Sequence, residues 1–334
     1  MNGCGFNRLL GVICSILAVA CTDPPESARG TITKTPAAQM YKQSRLALHE
    51  AGIERLTWGV TPFITEIGSV ETRYQPTVDI ISERLSTPMR VIAGESYADI
   101  ETLLLTQQID IAVMSPYAYV RAQSKDPNIR AIATHIANGT ESYGAYILVP
   151  ESSPVRSLTD LADKTFGFVD ERSSSGWLFP ASRMLDEGIN PLTDLDGRFY
   201  GNHERVIRAI ASGEVDAGAT YNAALSEGRG RIPGANNLRV IARTERIPYD
   251  AYVVRSGFPV KAILGLQKAL SSVSTRDPEG RKALAPLGDI NGFIRTDNTH
   301  YRSVREIEAR VQSLLALPGG RLPATVSSIE EPTP

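Results

Sequence analysis

The sequence predicts an α/β protein of two lobes, and three observations predict it. Strand-like and helix-like segments alternate along most of the chain, the pattern of mainly parallel sheets covered by helices. At 334 residues there is room for two such lobes. One local pattern also occurs twice. Gln107-Gln108-Ile109-Asp110-Ile111-Ala112 and Ser212-Gly213-Glu214-Val215-Asp216-Ala217 each read as a helix end, a turn and a strand carrying one aspartate. Each is followed by a polar, tyrosine-bearing loop. Two such lobes would offer the carboxyl ends of their strands to a shared cleft, where open α/β sheets bind ligands.

Composition sets further bounds. The chain is 42% hydrophobic and 22% charged, ordinary for a globular protein, with a formal net charge of −2. That balance supplies no field for nucleic acid or an anionic membrane surface, so any bound anion must be held by local groups.

The N-terminus reads as a targeting segment. Arg8 precedes the apolar run Leu9–Ala20, which is too short to span a bilayer comfortably. Ala18-Val19-Ala20-Cys21 resembles a lipobox, in which Cys21 is lipidated; simple cleavage after Ala20 is the competing reading. All 3 cysteines lie at or before position 21, which leaves the folded part no disulfide and no thiolate metal site. Residues 1–20 are thus expected to be a signal peptide, 21–45 a tether and 318–334 a loose tail. Lobe one is expected to comprise 46–145 plus 251–317, and lobe two 146–250.

Within the body, Leu56–Val60 is a strand. Pro76 is placed at the first position of a helix that carries Val78, Ile81 and Leu85 inward. Arg90–Ala93 is a strand, Tyr97-Ala98-Asp99 opens a helix, and Ile109–Met114 is a strand. Tyr146–Val149 follows, then a short helix at Leu158–Ala162 capped by Ser157. Asn202 heads a helix with Val206, Ile207 and Ile210 inward, ended by Gly213. Val215–Ala219, Leu238–Ala242 and Ala251–Val254 are strands, and two helices near 260–273 and 302–315 finish the fold.

The stretch around which the chain is organised is Phe168–Pro180, FVDERSSSGWLFP. It reads as the end of a buried strand, a polar turn and a helix start. A helix N-terminus carries unpaired N–H groups and partial positive charge, and three hydroxyls add donors that rotate to fit a tetrahedral oxyanion. Gly176 would let the backbone approach a ligand closely. The plainer reading is a serine-rich N-cap.

With Tyr97, Ile109-Asp110-Ile111-Ala112, Tyr117, Tyr119, Tyr143, Asp170, Ser173-Ser174-Ser175-Gly176, Asn202-His203-Glu204, Val215-Asp216 and Ile247-Pro248 with Asp250 in this order, the chain resembles the periplasmic phosphate/phosphite/phosphonate-binding proteins of ABC transporters. The resemblance covers about residues 55–300. It implies a type II periplasmic-binding fold, two α/β lobes joined by two hinge crossings near Gly144–Val149 and Ile247–Val254. It implies that Ser173, Ser174, Ser175 and His203 bind a phosphorus oxyanion, that Tyr97 and Tyr143 close on it, and that Asp250 sits on its far side. It also implies delivery to an ABC permease outside the cytoplasm; with the lipobox, the charge and the cysteine positions, the expectation is a monomer without cofactor, metal or nucleic acid, held to the membrane only through lipidated Cys21. The pattern departs from aminophosphonate-binding members at one place. Ala223 stands where they hold a glutamate for the ligand's ammonium, which predicts weaker binding of 2-aminoethylphosphonate than of phosphite, phosphate or methylphosphonate.

Two other classes stay open. Ser174, His203 and Asp250 could form a hydrolytic triad, although no G-x-S-x-G elbow is present. A sensing partner of a membrane receptor kinase would share the same fold and pocket. Arg172 is read as a surface residue paired with Glu171 or Asp170.

Overall fold

The computed structural model of the chain describes residues 36–63, 67–315 and 321–326. The signal segment and Cys21 lie outside the described residues. In chain order the elements begin with α1 (Pro36–Glu50), β1 (Leu56–Val60), α2 (Ile67–Leu85), β2 (Met89–Ala93), α3 (Tyr97–Leu105), β3 (Ile111–Met114) and α4 (Pro116–Lys125). There follow β4 (Arg130–Ala137), β5 (Ser142–Tyr143), β6 (Ala145–Pro150), β7 (Lys164–Phe168), α5 (Phe179–Asp186), β8 (Leu195–Phe199), α6 (His203–Ser212), β9 (Ala217–Tyr221) and α7 (Asn222–Gly228). The chain continues through β10 (Leu238–Arg243), β11 (Ile247–Pro248), β12 (Ala251–Val254), α8 (Val260–Ser271), α9 (Pro278–Leu284), β13 (Ile290–Arg295), α10 (Arg302–Leu315) and β14 (Ala324–Thr325).

Among the described residues the strands form two six-stranded sheets and one two-stranded ribbon. Lobe one has the order β13-β4-β12-β3-β1-β2 and lobe two the order β10-β6-β9-β7-β8-β14. Each lobe is built on a parallel trio, β2-β1-β3 in one and β8-β7-β9 in the other. Beside each trio runs one antiparallel strand that has crossed from the other lobe, β12 on β3 and β6 on β9.

The repeated aspartate has one structural role in both halves. The Asp110 carboxylate accepts from the Thr57 amide and hydroxyl, both at 2.9 Å. The Asp216 carboxylate accepts from the Thr165 amide at 2.9 Å and hydroxyl at 2.8 Å. Each threonine hydroxyl takes the aspartate's own N–H in return. The motif therefore ties the turn before the third strand to the central strand of each trio. It does not face the cleft.

Several expected boundaries move. Residues 36–45, assigned to the tether, are helical. Leu48 of α1 is buried, and the Ser44 hydroxyl bonds the Lys261 carbonyl on α8 at 3.0 Å. Pro76 lies inside α2 rather than at its start. The inward face Val70, Val78, Ile81 and Leu85 is buried, and this packing offsets the proline's missing N–H. The turns after the repeats are helix starts, not loops. Ser115 caps α4 by accepting from the Ala118 N–H, with Pro116 at the first position, and α7 begins at Asn222. The helix expected at 158–162 is a single turn, Thr159–Leu161, and Ser157 makes no side-chain cap there. β4 was not anticipated: RAIATHIA is alanine-rich and buried along nearly its whole length, so it shows no alternation. In the tail, β14 adds an edge strand to β8, and the Val326 N–H reaches the Phe199 carbonyl at 2.8 Å.

Where the chain first crosses between lobes, β5 pairs with β11 of the returning passage, Tyr143 opposite Ile247 and Ser142 opposite Pro248. The crossing ribbon thus begins just before the stretch expected at Gly144–Val149, most of which is β6. α10 also bridges the lobes. Its Gln312 donates to the Tyr117 hydroxyl of lobe one at 3.2 Å, and its Arg310 pairs with Asp186 of lobe two at 2.6 Å. No helix among the described residues is long and apolar enough to cross a membrane.

Candidate functional site

A cavity of about 170 Å³ lies between the lobes. The lobes meet around it, and the His203 N–H bonds the Phe63 carbonyl across the gap at 3.3 Å.

One part of its lining is made by lobe two. β7 delivers the chain into Asp170-Glu171-Arg172, after which Ser173 caps a wide turn, Ser174–Leu178, that runs into α5. The Ser173 hydroxyl accepts from the Gly176 N–H at 3.0 Å. Gly176 is required here by packing: a Cβ would stand 2.3 Å from the Val169 side chain. The glycine thus lets the turn lie on the strand end rather than admit a ligand. Ser173 and Ser175 line the cavity. Ser174 does not. It is fully buried, and its hydroxyl accepts from the Tyr117 N–H of lobe one at 2.9 Å. Ser174 therefore lies off the cavity wall, unlike Ser173 and Ser175.

His203 heads α6, placed by the Asn202 cap. Its Nδ1 is 2.9 Å from the Thr220 hydroxyl and its ring packs edge-on against Tyr221. Burial lowers its pKa to about 3, so the ring is neutral. With Nδ1 engaged, Nε2 is the atom left for the cavity that the ring lines. Tyr97, at the start of α3, faces Ser173, and its hydroxyl is buried without a bond of good geometry. The Tyr143 hydroxyl lies against Ser175. Burial raises both phenols, so each is an O–H donor at neutral pH. These groups therefore offer several uncharged donors to an oxyanion.

The rest of the lining is acidic and aromatic. Burial raises the Asp250 carboxyl to about 7. Tyr143 and Tyr249 stack at 5.1 Å, and His135 packs on Tyr249 at 4.4 Å. Glu227, on α7, lines the same space together with Asp289 and Arg73. Burial raises Glu227, and Arg73 opposes the shift. The Tyr221 hydroxyl donates to Glu227 Oε2 at 3.3 Å.

The structure thus brings Tyr97, Tyr143, Ser173, Ser175, His203 and Asp250 to one cavity. Ala223 also lines it, as the register predicted. Glu227, one helical turn further along α7, adds a carboxyl group to the wall. Sequence reasoning missed Glu227, Arg73 and His135. Glu227 was legible only through the i, i+4 spacing from Ala223, and only once Asn222–Gly228 is known to be helical. Among the described residues no group of histidine, cysteine, aspartate or glutamate side chains could hold a metal ion.

Comparison with known proteins bears on this cavity. The sequence profile of the family described as "ABC transporter, phosphonate, periplasmic substrate-binding protein" matches residues 59–301. The phosphate-import protein PhnD of Mycolicibacterium smegmatis is 26% identical over 165 residues, 46% of this chain and 51% of that protein. The phosphonates-binding periplasmic protein of Escherichia coli is 24% identical over 192 residues, 56% and 57% respectively. The chain thus spans little more than half the length of these two relatives. A probable ABC transporter phosphite binding protein of Prochlorococcus marinus is 21% identical over 274 residues, 76% of this chain and 91% of that protein. Among solved structures, a Prochlorococcus marinus protein in complex with methylphosphonate superposes with a TM-score of 0.70 at 19% identity, covering 78% of this chain and 98% of that one. A binding-protein component of an ABC phosphonate transporter from Pseudomonas aeruginosa gives 0.69 at 21% identity, covering 77% and 86%. At these identities the superpositions show the two-lobed periplasmic-binding fold alone. The profile match across most of the body shows more: the chain belongs to the periplasmic phosphonate substrate-binding proteins of ABC transporters, a family of binding proteins rather than enzymes.

Proposed function

We propose that this protein captures a small phosphonate or related phosphorus oxyanion bearing a cationic group, in its interlobe cavity, and delivers it to an ABC permease. The oxyanion would be held by Ser173, Ser175, His203, Tyr97 and Tyr143, and the cationic substituent by Asp250 and Glu227. The observation that carries the reading is that one cavity is lined by both uncharged donors and carboxyl groups. Uncharged donors share one lining with Asp250, Glu227 and Asp289, and Arg73 is the one arginine or lysine there among the described residues. A fully ionised phosphate would have to keep these carboxyls protonated or be repelled by them, whereas an ammonium favours their ionised form. A zwitterion satisfies both sets of groups. Phosphate, phosphite and methylphosphonate share the oxyanion and remain weaker alternatives.

In this reading the chain is exported, anchored through lipidated Cys21 and monomeric, and it works without a cofactor. A partner that only senses ligand for a receptor kinase would use the same cavity. Melting temperature across a panel of 2-aminoethylphosphonate, methylphosphonate, phosphite, phosphate and an aliphatic sulfonate tests the ligand class. The largest upward shift is expected with 2-aminoethylphosphonate. No shift with any phosphorus compound would overturn the proposal.

A further inference from the structure

The loop that presents Ser173 and Ser175 is held from the opposite lobe. Glu101, on α3, has a side chain only 2% exposed, and each of its oxygens meets a different cation. Oε1 is 2.6 Å from Lys125 Nζ, and Oε2 is 2.6 Å from Arg172 Nε. Arg172 is not the surface residue that the sequence suggests. Its guanidinium is 15% exposed and also bonds Glu171 Oε1 at 2.6 Å. Its carbonyl accepts from the Ser115 hydroxyl of lobe one at 2.7 Å, and Ser174 accepts from the Tyr117 N–H. The residues on both sides of Ser173 are therefore bonded to lobe one. Tyr97 precedes Glu101 by one turn on the same helix, so both share a face. α3 meets the loop twice, through Tyr97 at Ser173 and through Glu101 at Arg172.

We infer that Glu101 is a positioning residue for the oxyanion loop. Through the planar fork of Arg172 it fixes the direction of the Ser173 and Ser175 hydroxyls relative to Tyr97. This rests on the reading of those hydroxyls as oxyanion donors. A buried ion pair is a weak source of stability, since well-packed apolar residues commonly serve as well. What Arg172 adds is orientation, because its planar guanidinium is held at Nε by Glu101 and at a terminal nitrogen by Glu171.

The test separates position from stability. The full chain carrying Glu101→Leu with Arg172→Met restores apolar packing and removes the fork. It is expected to melt near the wild-type temperature yet bind 2-aminoethylphosphonate and methylphosphonate at least tenfold more weakly, by a similar factor for both, because the defect lies at their shared oxyanion. Arg172→Lys keeps the charge and loses the fork, and serves if the double variant fails to fold. It should lose several-fold in affinity with its melting temperature nearly unchanged. Wild-type affinity in a folded variant, whatever its melting temperature, would make the pair purely structural and overturn the inference. Wild-type protein that binds neither probe would instead overturn the functional reading, and the positioning role with it.

Discussion

Ser173, Ser174 and Ser175 are chemically alike and do three different things. Ser173 caps the turn, Ser174 bonds the other lobe, and Ser175 lies against Tyr143 on the cavity wall. The sequence shows that hydroxyls gather at a helix start; which way each points depends on the wide turn and on Tyr117, 57 residues away. Ser175→Ala should remove a bond to a charged oxygen worth about 1.5–3 kcal/mol, lowering affinity roughly ten- to hundredfold by calorimetry. Unchanged affinity would return Ser175 to a packing role. Asp250 gives the folded chain a pH dependence. Its folded pKa is raised to about 7 by burial, above about 3.9 for an unfolded aspartate. The unfolded chain therefore loses this proton first, and stability falls as pH rises between those values. Ligand-free Asp250→Asn should then melt above wild type at pH 8, with the gap closing toward pH 4. A gap that is constant with pH would contradict a raised carboxyl.

Among the elements, the two aspartate–threonine clamps were readable as a repeat but not as clamps, because Thr57 and Thr165 lie on distant strands. Asp110 also pairs with Arg255 at 2.9 Å. Asp110→Ala should cost about 1–3 kcal/mol in urea unfolding by stranding these partners, with ligand affinity unchanged. A loss of affinity without loss of stability would place Asp110 in the site instead. The elements that escaped sequence reading did so for physical reasons. β4 is buried on both faces and has no alternation. α7 is only seven residues long, too short for a helical period to show. α2 contains a proline that packing overrides. Glu227 was hidden because its helix was hidden.

At the scale of the molecule, the two lobes and their alternation were legible, because each parallel trio is local in sequence. The third passage between lobes was not. α10 and β14 carry the chain back from lobe one to lobe two after both expected crossings are complete. Lobes joined at the β5–β11 ribbon can hinge there. Small-angle scattering should show a smaller radius of gyration with saturating 2-aminoethylphosphonate than without; an identical radius would mean a chain already closed in the absence of ligand. In the proposed function, one cavity reads an oxyanion at Ser173 and Ser175 and a cation at Asp250 and Glu227. Calorimetric titration of 2-aminoethylphosphonate and methylphosphonate into wild type and Glu227→Gln tests it most directly. Wild type should prefer the aminophosphonate, and the variant should lose that preference while keeping its affinity for methylphosphonate. Equal preference in the two proteins, or wild-type preference for methylphosphonate, would overturn the cation-binding role of Glu227.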